Sequence, residues 1–131
     1  MEEVIERLRQ ANEPVPVPLE LPTFDQFVAV QEAMLIHIPD DYRDFLFQVS
    51  DVVYGHLEPA TIADDSLHTY LPDMAARAWS QGVERHLLPI CEWRDGYYVI
   101  DEQGEVFLWP EQEDQHWSSI WSWVSQVWLE E

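Results

Sequence analysis

Apolar positions in this chain follow a helical period in its first two thirds and again at its end, and a strand period between. Val4, Ile5 and Leu8 share one side of a short first helix over Glu2 to Ala11 that ends near Asn12. The stretch EPVPVPLELP then places four prolines between Glu13 and Pro22, which excludes helix and predicts extended, polyproline-like chain laid along the body. From Thr23, a candidate N-cap, Phe24, Phe27, Val28, Gln31 and Leu35 fall on one face of a second helix with Met34 beside it. A third helix opens with Pro39 at its first position. Asp40 and Asp41 complement its dipole, and Tyr42, Phe45, Leu46 and Val49 form a buried stripe. After extended chain broken at Gly55 and Pro59, a fourth helix begins at Pro72 and Asp73. It places Leu71, Met74, Ala75, Ala78 and Trp79 on one side and stops at Gly82.

The pattern then changes. LLPICEW reads as a strand, and GYYVIDEQGEVFLWP as a hairpin whose turn, Asp101 to Gly104, suits a type I turn with Gly104 left-handed. Tyr97, Tyr98, Phe107 and Trp109 are either sheet packing or an aromatic binding surface. A final helix over Ser118 to Glu130 presents Ile120, Trp121, Val124, Val127 and Trp128 as one stripe. Helices, a three-stranded antiparallel meander and a closing helix predict a single α+β domain, with residues 1–22 as a helical, proline-rich extension and residues 23–131 as the domain proper.

Charge adds the next constraint. Asp and Glu number 26 against 6 Lys plus Arg, a formal net charge of -20 at pH 7, and all the basic residues are Arg. Such a field opposes phosphate backbones and anionic lipid, so nucleic-acid and membrane-surface roles are disfavoured and a basic protein partner is favoured; the same charge also serves solubility alone. No apolar run reaches membrane-spanning length and MEEVIERLRQ has no signal-peptide core, so a soluble, cytoplasmic protein is expected. The single cysteine, Cys91, forms no internal disulfide and is expected to be a buried, inert thiol.

Catalytic templates find no match. Asp40 with Asp41 and Asp64 with Asp65 are carboxylate pairs with ordinary capping and loop roles. His56 with Glu58, and Glu113, Asp114 and His116, match neither an HExxH helix nor an EF-hand loop. No serine stands in a GxSxG elbow, and with four glycines there is no phosphate cradle. A non-enzymatic binding protein without metal or cofactor is the expectation. Its candidate partner-binding residues are Asp64 and Asp65, then Trp93 and Arg94 at the first hairpin turn, then Glu111, Glu113 and Asp114.

Taken in order, IPDDYRDFL, YGHLEPATI, LLPICEWRDGYYVIDEQGEVFLWP and the Trp-rich last helix resemble the Smi/Knr-like branch of the SUKH superfamily, from about Thr23 to Trp128. The resemblance implies an α+β fold with no shared catalytic set. It also implies, for bacterial members, service as immunity proteins that neutralise toxins, many of them nucleases; fungal relatives resemble regulatory scaffolds. Many relatives carry an Asn-Gly-Gly-type turn after the third helix, where this chain has Val49-Ser50-Asp51-Val52-Val53.

Overall fold

The computed structural model describes residues 1–111 and 114–130. Its elements run α1 (Glu2–Ala11), α2 (Phe24–Met34), α3 (Asp40–Val49), α4 (Leu71–Ser80), β1 (Leu88–Trp93), β2 (Gly96–Ile100), β3 (Val106–Trp109), β4 (His116–Trp117) and α5 (Ile120–Gln126), with a closing 3-10 turn at Trp128–Glu130. The strands pair in sequence order, β1-β2-β3-β4, each antiparallel to the next. This is the expected α+β meander with one strand more than the pattern predicts. β4 has two residues, too few to show a period.

The sheet is covered on both faces, which is why β2 is buried along its whole length. Glu92, Tyr97 and Trp109 lie in register across three strands. They meet α4 and the turn after it: Arg77 donates to Glu92 at 2.5 Å, and the Trp109 ring lies 3.5 Å from where a Cβ on Gly82 would sit. On the opposite face Tyr98 packs against Trp123 of α5 at 5.4 Å between ring centres, and Tyr42 of α3 reaches the Pro89 carbonyl of β1. Phe45, Trp123 and Trp128 interlock in this lower layer, with Phe45–Trp128 at 6.0 Å and Trp123–Trp128 at 6.3 Å. Such aromatic contacts add geometric preference to the burial itself.

Leu8 of α1 is fully buried in the same core, and Arg9 forms a two-pronged ion pair with Asp51, just past the end of α3. The Val49–Val53 stretch closes without glycine. Ser50 Oγ donates to the Leu46 carbonyl at 2.7 Å, Val52 N to Val49 O at 3.0 Å, and Val53 N to Asn12 Oδ1 at 2.8 Å. The proline-rich segment leaves α1 through Glu13, whose N–H donates to Val53 O at 2.8 Å and whose carboxylate accepts from Gly55 N at 3.2 Å.

Two helix faces and one helix start differ from the expected ones. In α2 the buried residues are Phe27, Val30 and Met34, whereas Phe24 is 67% and Leu35 is 86% exposed. The Thr23–Gln26 capping box starts the helix as expected, but Leu35 is its left-handed cap at φ 55°, so the helical period no longer governs where that side chain goes. Pro39 caps α3 rather than occupying its first turn, and the Tyr42, Phe45, Leu46 and Val49 stripe is buried as predicted. The last helix begins after its cap Ser119, ends at Gln126, and buries Trp123 completely, a residue off the predicted stripe. Trp123 lies under the sheet while Trp121 and Trp128 flank Phe45, so this short helix is enclosed on more than one side.

The hairpin turn is as expected. Asp101 Oδ1 accepts from Gln103 N and Glu105 N, each at 3.0 Å, and Gly104 takes φ +91°. Cys91 is buried, and the Tyr97, Tyr98 and Trp109 rings are engaged in sheet packing. Among the described residues no helix is long and apolar enough to cross a membrane.

Candidate partner-binding surface

Every guanidinium in the chain has an internal engagement. Arg7 reaches Ser125, Arg9 pairs with Asp51, Arg43 with Asp40 and Asp44, and Arg77 with Glu92 and the His68 carbonyl. Arg85 donates to the last-turn carbonyl of Met34 at 2.6 Å while lying 3.7 Å over the Trp79 ring, and Arg94 stacks 4.8 Å over Trp93. With 26 acids and these 6 cations already committed, most carboxylates have no arginine to neutralise them. The outward face of the molecule is therefore strongly negative.

The residues singled out by sequence divide into two places. Trp93 and Arg94 sit at the β1–β2 turn, where Arg94 takes φ 53°, and they border a depression floored by Tyr98 and Leu108 and walled by Trp109 and Pro110. Glu111 follows Pro110 directly and is exposed, as is Asp114, while Glu113 lies outside the described residues. Asp64 and Asp65 belong elsewhere, on the loop between Thr61 and Tyr70, beside Gln26 of α2. Asp64 accepts from the Ser66 hydroxyl at 2.7 Å and from Ser66 N at 2.9 Å, and these two bonds hold its carboxyl below the ordinary range. Asp65 contributes to the opposite effect on Tyr70, whose phenol is raised first by burial and then by the charges of Asp65 and Asp73.

A third feature, absent from the sequence reading, is a cleft of about 270 Å³ between the proline-rich segment and the body. Val15, Val17 and Leu19, alternating with prolines, form one wall, and Val52, Leu57 and Trp128 form the other side. At its inner end Thr61 and Thr69 are buried and share one hydroxyl–hydroxyl bond at 2.9 Å. At its mouth His68 Nε2 lies 2.7 Å from Glu58. A second hollow continues along the same segment through Val17, Leu19, Thr61 and Leu67 to Glu20 and Asp64. The alternation of proline and aliphatic residues from Val15 to Leu19 was the available signal, but the opposing wall comes from residues far away in sequence.

Among the described residues no three His, Cys, Asp or Glu side chains converge as a metal ion would require. Tyr42 has its phenol raised by burial inside the core and then by the neighbouring Cys91.

The fold and surface together define a compact α+β domain whose distinguishing chemistry is an unneutralised acidic exterior around a proline-strapped apolar cleft. The chain belongs to the SUKH superfamily: the family model SUKH_5, described as SMI1-KNR4 cell-wall, matches residues 1–129. The crystal structure of a protein from Pseudomonas syringae pv. tomato is 53% identical, covers 100% of both chains and superposes with a TM-score of 0.97. No curated protein matches the chain. The family match begins at residue 1, so it includes the α1 helix and the proline-rich segment as well as the region from Thr23 onward.

Proposed function

We propose that this chain is a non-catalytic, cytoplasmic protein-binding domain that acts as an immunity protein, covering a basic toxin domain of nuclease type. The observation that carries this reading is the net charge of -20 with every arginine internally engaged, in a member of the SUKH superfamily. An enzyme that cleaves nucleic acid needs a cationic surface, and an anionic inhibitor is steered to such a surface and competes there with the phosphate backbone. Affinity then rests on a few aromatic or arginine anchors set among the acids, for which Trp93 and Arg94 are candidates. The test is genetic. A neighbouring gene for a secreted protein with a growth-arresting C-terminal domain should be tolerated only when this chain is co-expressed. Equal killing with and without the chain would refute the immunity reading.

A second reading is a regulatory scaffold that recognises a native partner protein. Phe24 and Leu35, 67% and 86% exposed at the two ends of α2, favour it, as does the cell-wall description of the family. Co-purification with a chromosomally encoded non-toxic protein would support it.

A further inference from the structure

We propose that the groove along the proline-rich strap is the docking site for an extended segment of a basic partner, with an apolar side chain seated in the cleft beside Trp128 and cationic side chains over Asp64 and Asp65. This assignment rests on the protein-binding reading above and adds a second place of contact, apart from Trp93 and Arg94. Three hollows join end to end. The first and second share Val17, Leu19, Thr61 and Leu67, and the second and third share Ala63 and Asp64. The result is one track from an apolar end to an acidic end.

Charge selects the occupant. The charged side chains along the track are Glu58, Glu20, Asp64 and Asp65, with His68 beside Glu58 and no arginine. Tyr70, whose phenol is raised first by burial and then by Asp65 and Asp73, lines the acidic end. A second copy of this chain, itself at -20, is repelled from such a track, whereas a segment bearing Lys or Arg is drawn to it.

The walls suit a peptide. Pro14, Pro16 and Pro18 fix the strap's backbone angles and carry no N–H, and among the described residues the backbone of 14–22 makes no hydrogen bond to the body. Its carbonyls are therefore a preformed row of acceptors for an incoming backbone. The buried Thr61–Thr69 pair holds two hydroxyl protons and uses one in its mutual bond; the other has no acceptor among the described residues. A peptide carbonyl entering the cleft supplies one. The cleft's volume of about 270 Å³ exceeds the roughly 150 Å³ apolar cavity that takes up benzene, so one large apolar side chain fits with room for its backbone.

The experiment uses the full chain and a capped synthetic peptide, acetyl-Gly-Trp-Gly-Lys-Lys-Lys-amide, titrated by calorimetry. Two analogues accompany it, one with Trp replaced by Gly and one with Lys replaced by Glu. The proteins are wild type, Val17→Asp, Asp64→Asn with Asp65→Asn, and a control, Glu3→Gln with Glu102→Gln, that removes equal charge from exposed positions off the track. Val17, 81% exposed on the strap, can be substituted without touching the core. Wild type and control should bind the Trp-Lys peptide alike. Each groove variant, and each analogue on wild type, should bind roughly tenfold or more weakly, the scale of losing one anchor or charged contact. No binding by wild type, or equal weakening by the control, overturns the groove. Growth protection against the cognate toxin is scored separately. Protection that survives both groove variants removes the groove and leaves the immunity reading standing, whereas groove binding without protection by wild type removes the immunity reading alone.

Discussion

The Tyr42 hydroxyl, fully buried in α3, donates to the Pro89 carbonyl of β1 at 2.8 Å, so a single hydrogen bond ties the lower helical layer to the first strand. Tyr42→Phe keeps the ring packing and removes only that donor. It should cost about 1–2 kcal/mol in denaturant-induced unfolding, the range for a buried neutral bond whose acceptor is left wanting. A change smaller than the error of the measurement would mean that the carbonyl is satisfied by other donors.

The same phenol should contribute to alkaline stability. Burial, and then the neighbouring Cys91, raise its pKa well above the ordinary 10.0. The unfolded chain therefore loses this proton first as pH rises, and the folded state binds more protons than the unfolded one. Stability from this group is complete below about pH 10 and falls as pH climbs toward the folded-state value. Unfolding free energy of wild type should decline above about pH 10 more steeply than that of Tyr42→Phe.

Two glycines of the sheet should respond differently to Ala. A Cβ on Gly96 would overlap the Trp109 carbonyl oxygen and stand 3.2 Å from Pro110 Cδ, both fixed by the β2–β3 pairing. At Gly104 nothing lies within 4 Å, and only the φ of +91° opposes a side chain. Gly96→Ala should cost about 3 kcal/mol or prevent folding, as overpacking against backbone does. Gly104→Ala should cost about 1 kcal/mol, as local backbone strain does. Thermal midpoints of the two variants, measured side by side, check the order.

Leu8→Ala should destabilise by about 2–5 kcal/mol despite its place near the start of the chain, since it is fully buried among residues of the common core. A chain lacking residues 1–12 should lose that contact and the Arg9–Asp51 pair together. If the truncated chain unfolds at the same denaturant concentration as the whole one, α1 is an accessory rather than a part of the core.

If acidic steering governs partner capture, the association rate with a cognate toxin should fall at least tenfold between about 20 and 500 mM salt while the dissociation rate changes less. Stopped-flow mixing across that range decides it. A flat association rate would leave shape, not charge, as the means of recognition.

The sequence alone determined the local choices. The period of apolar residues set α3, α4 and the strand pairs β1–β2 and β2–β3, and Thr23 and Gly104 marked a helix start and a turn because capping and left-handed backbone are short-range requirements. The acid excess was legible for the same reason, being a sum over residues. Only tertiary structure decided which side of α2 faces inward, that Trp123 is buried, and that β4 exists, because each depends on packing against distant elements. It also separated Asp64 and Asp65 from Trp93 and Arg94, and created the strap cleft from Val17, Leu57, Thr69 and Trp128. Those four residues share no local pattern; a cavity belongs to the space between elements, and nothing in a one-dimensional period encodes that space.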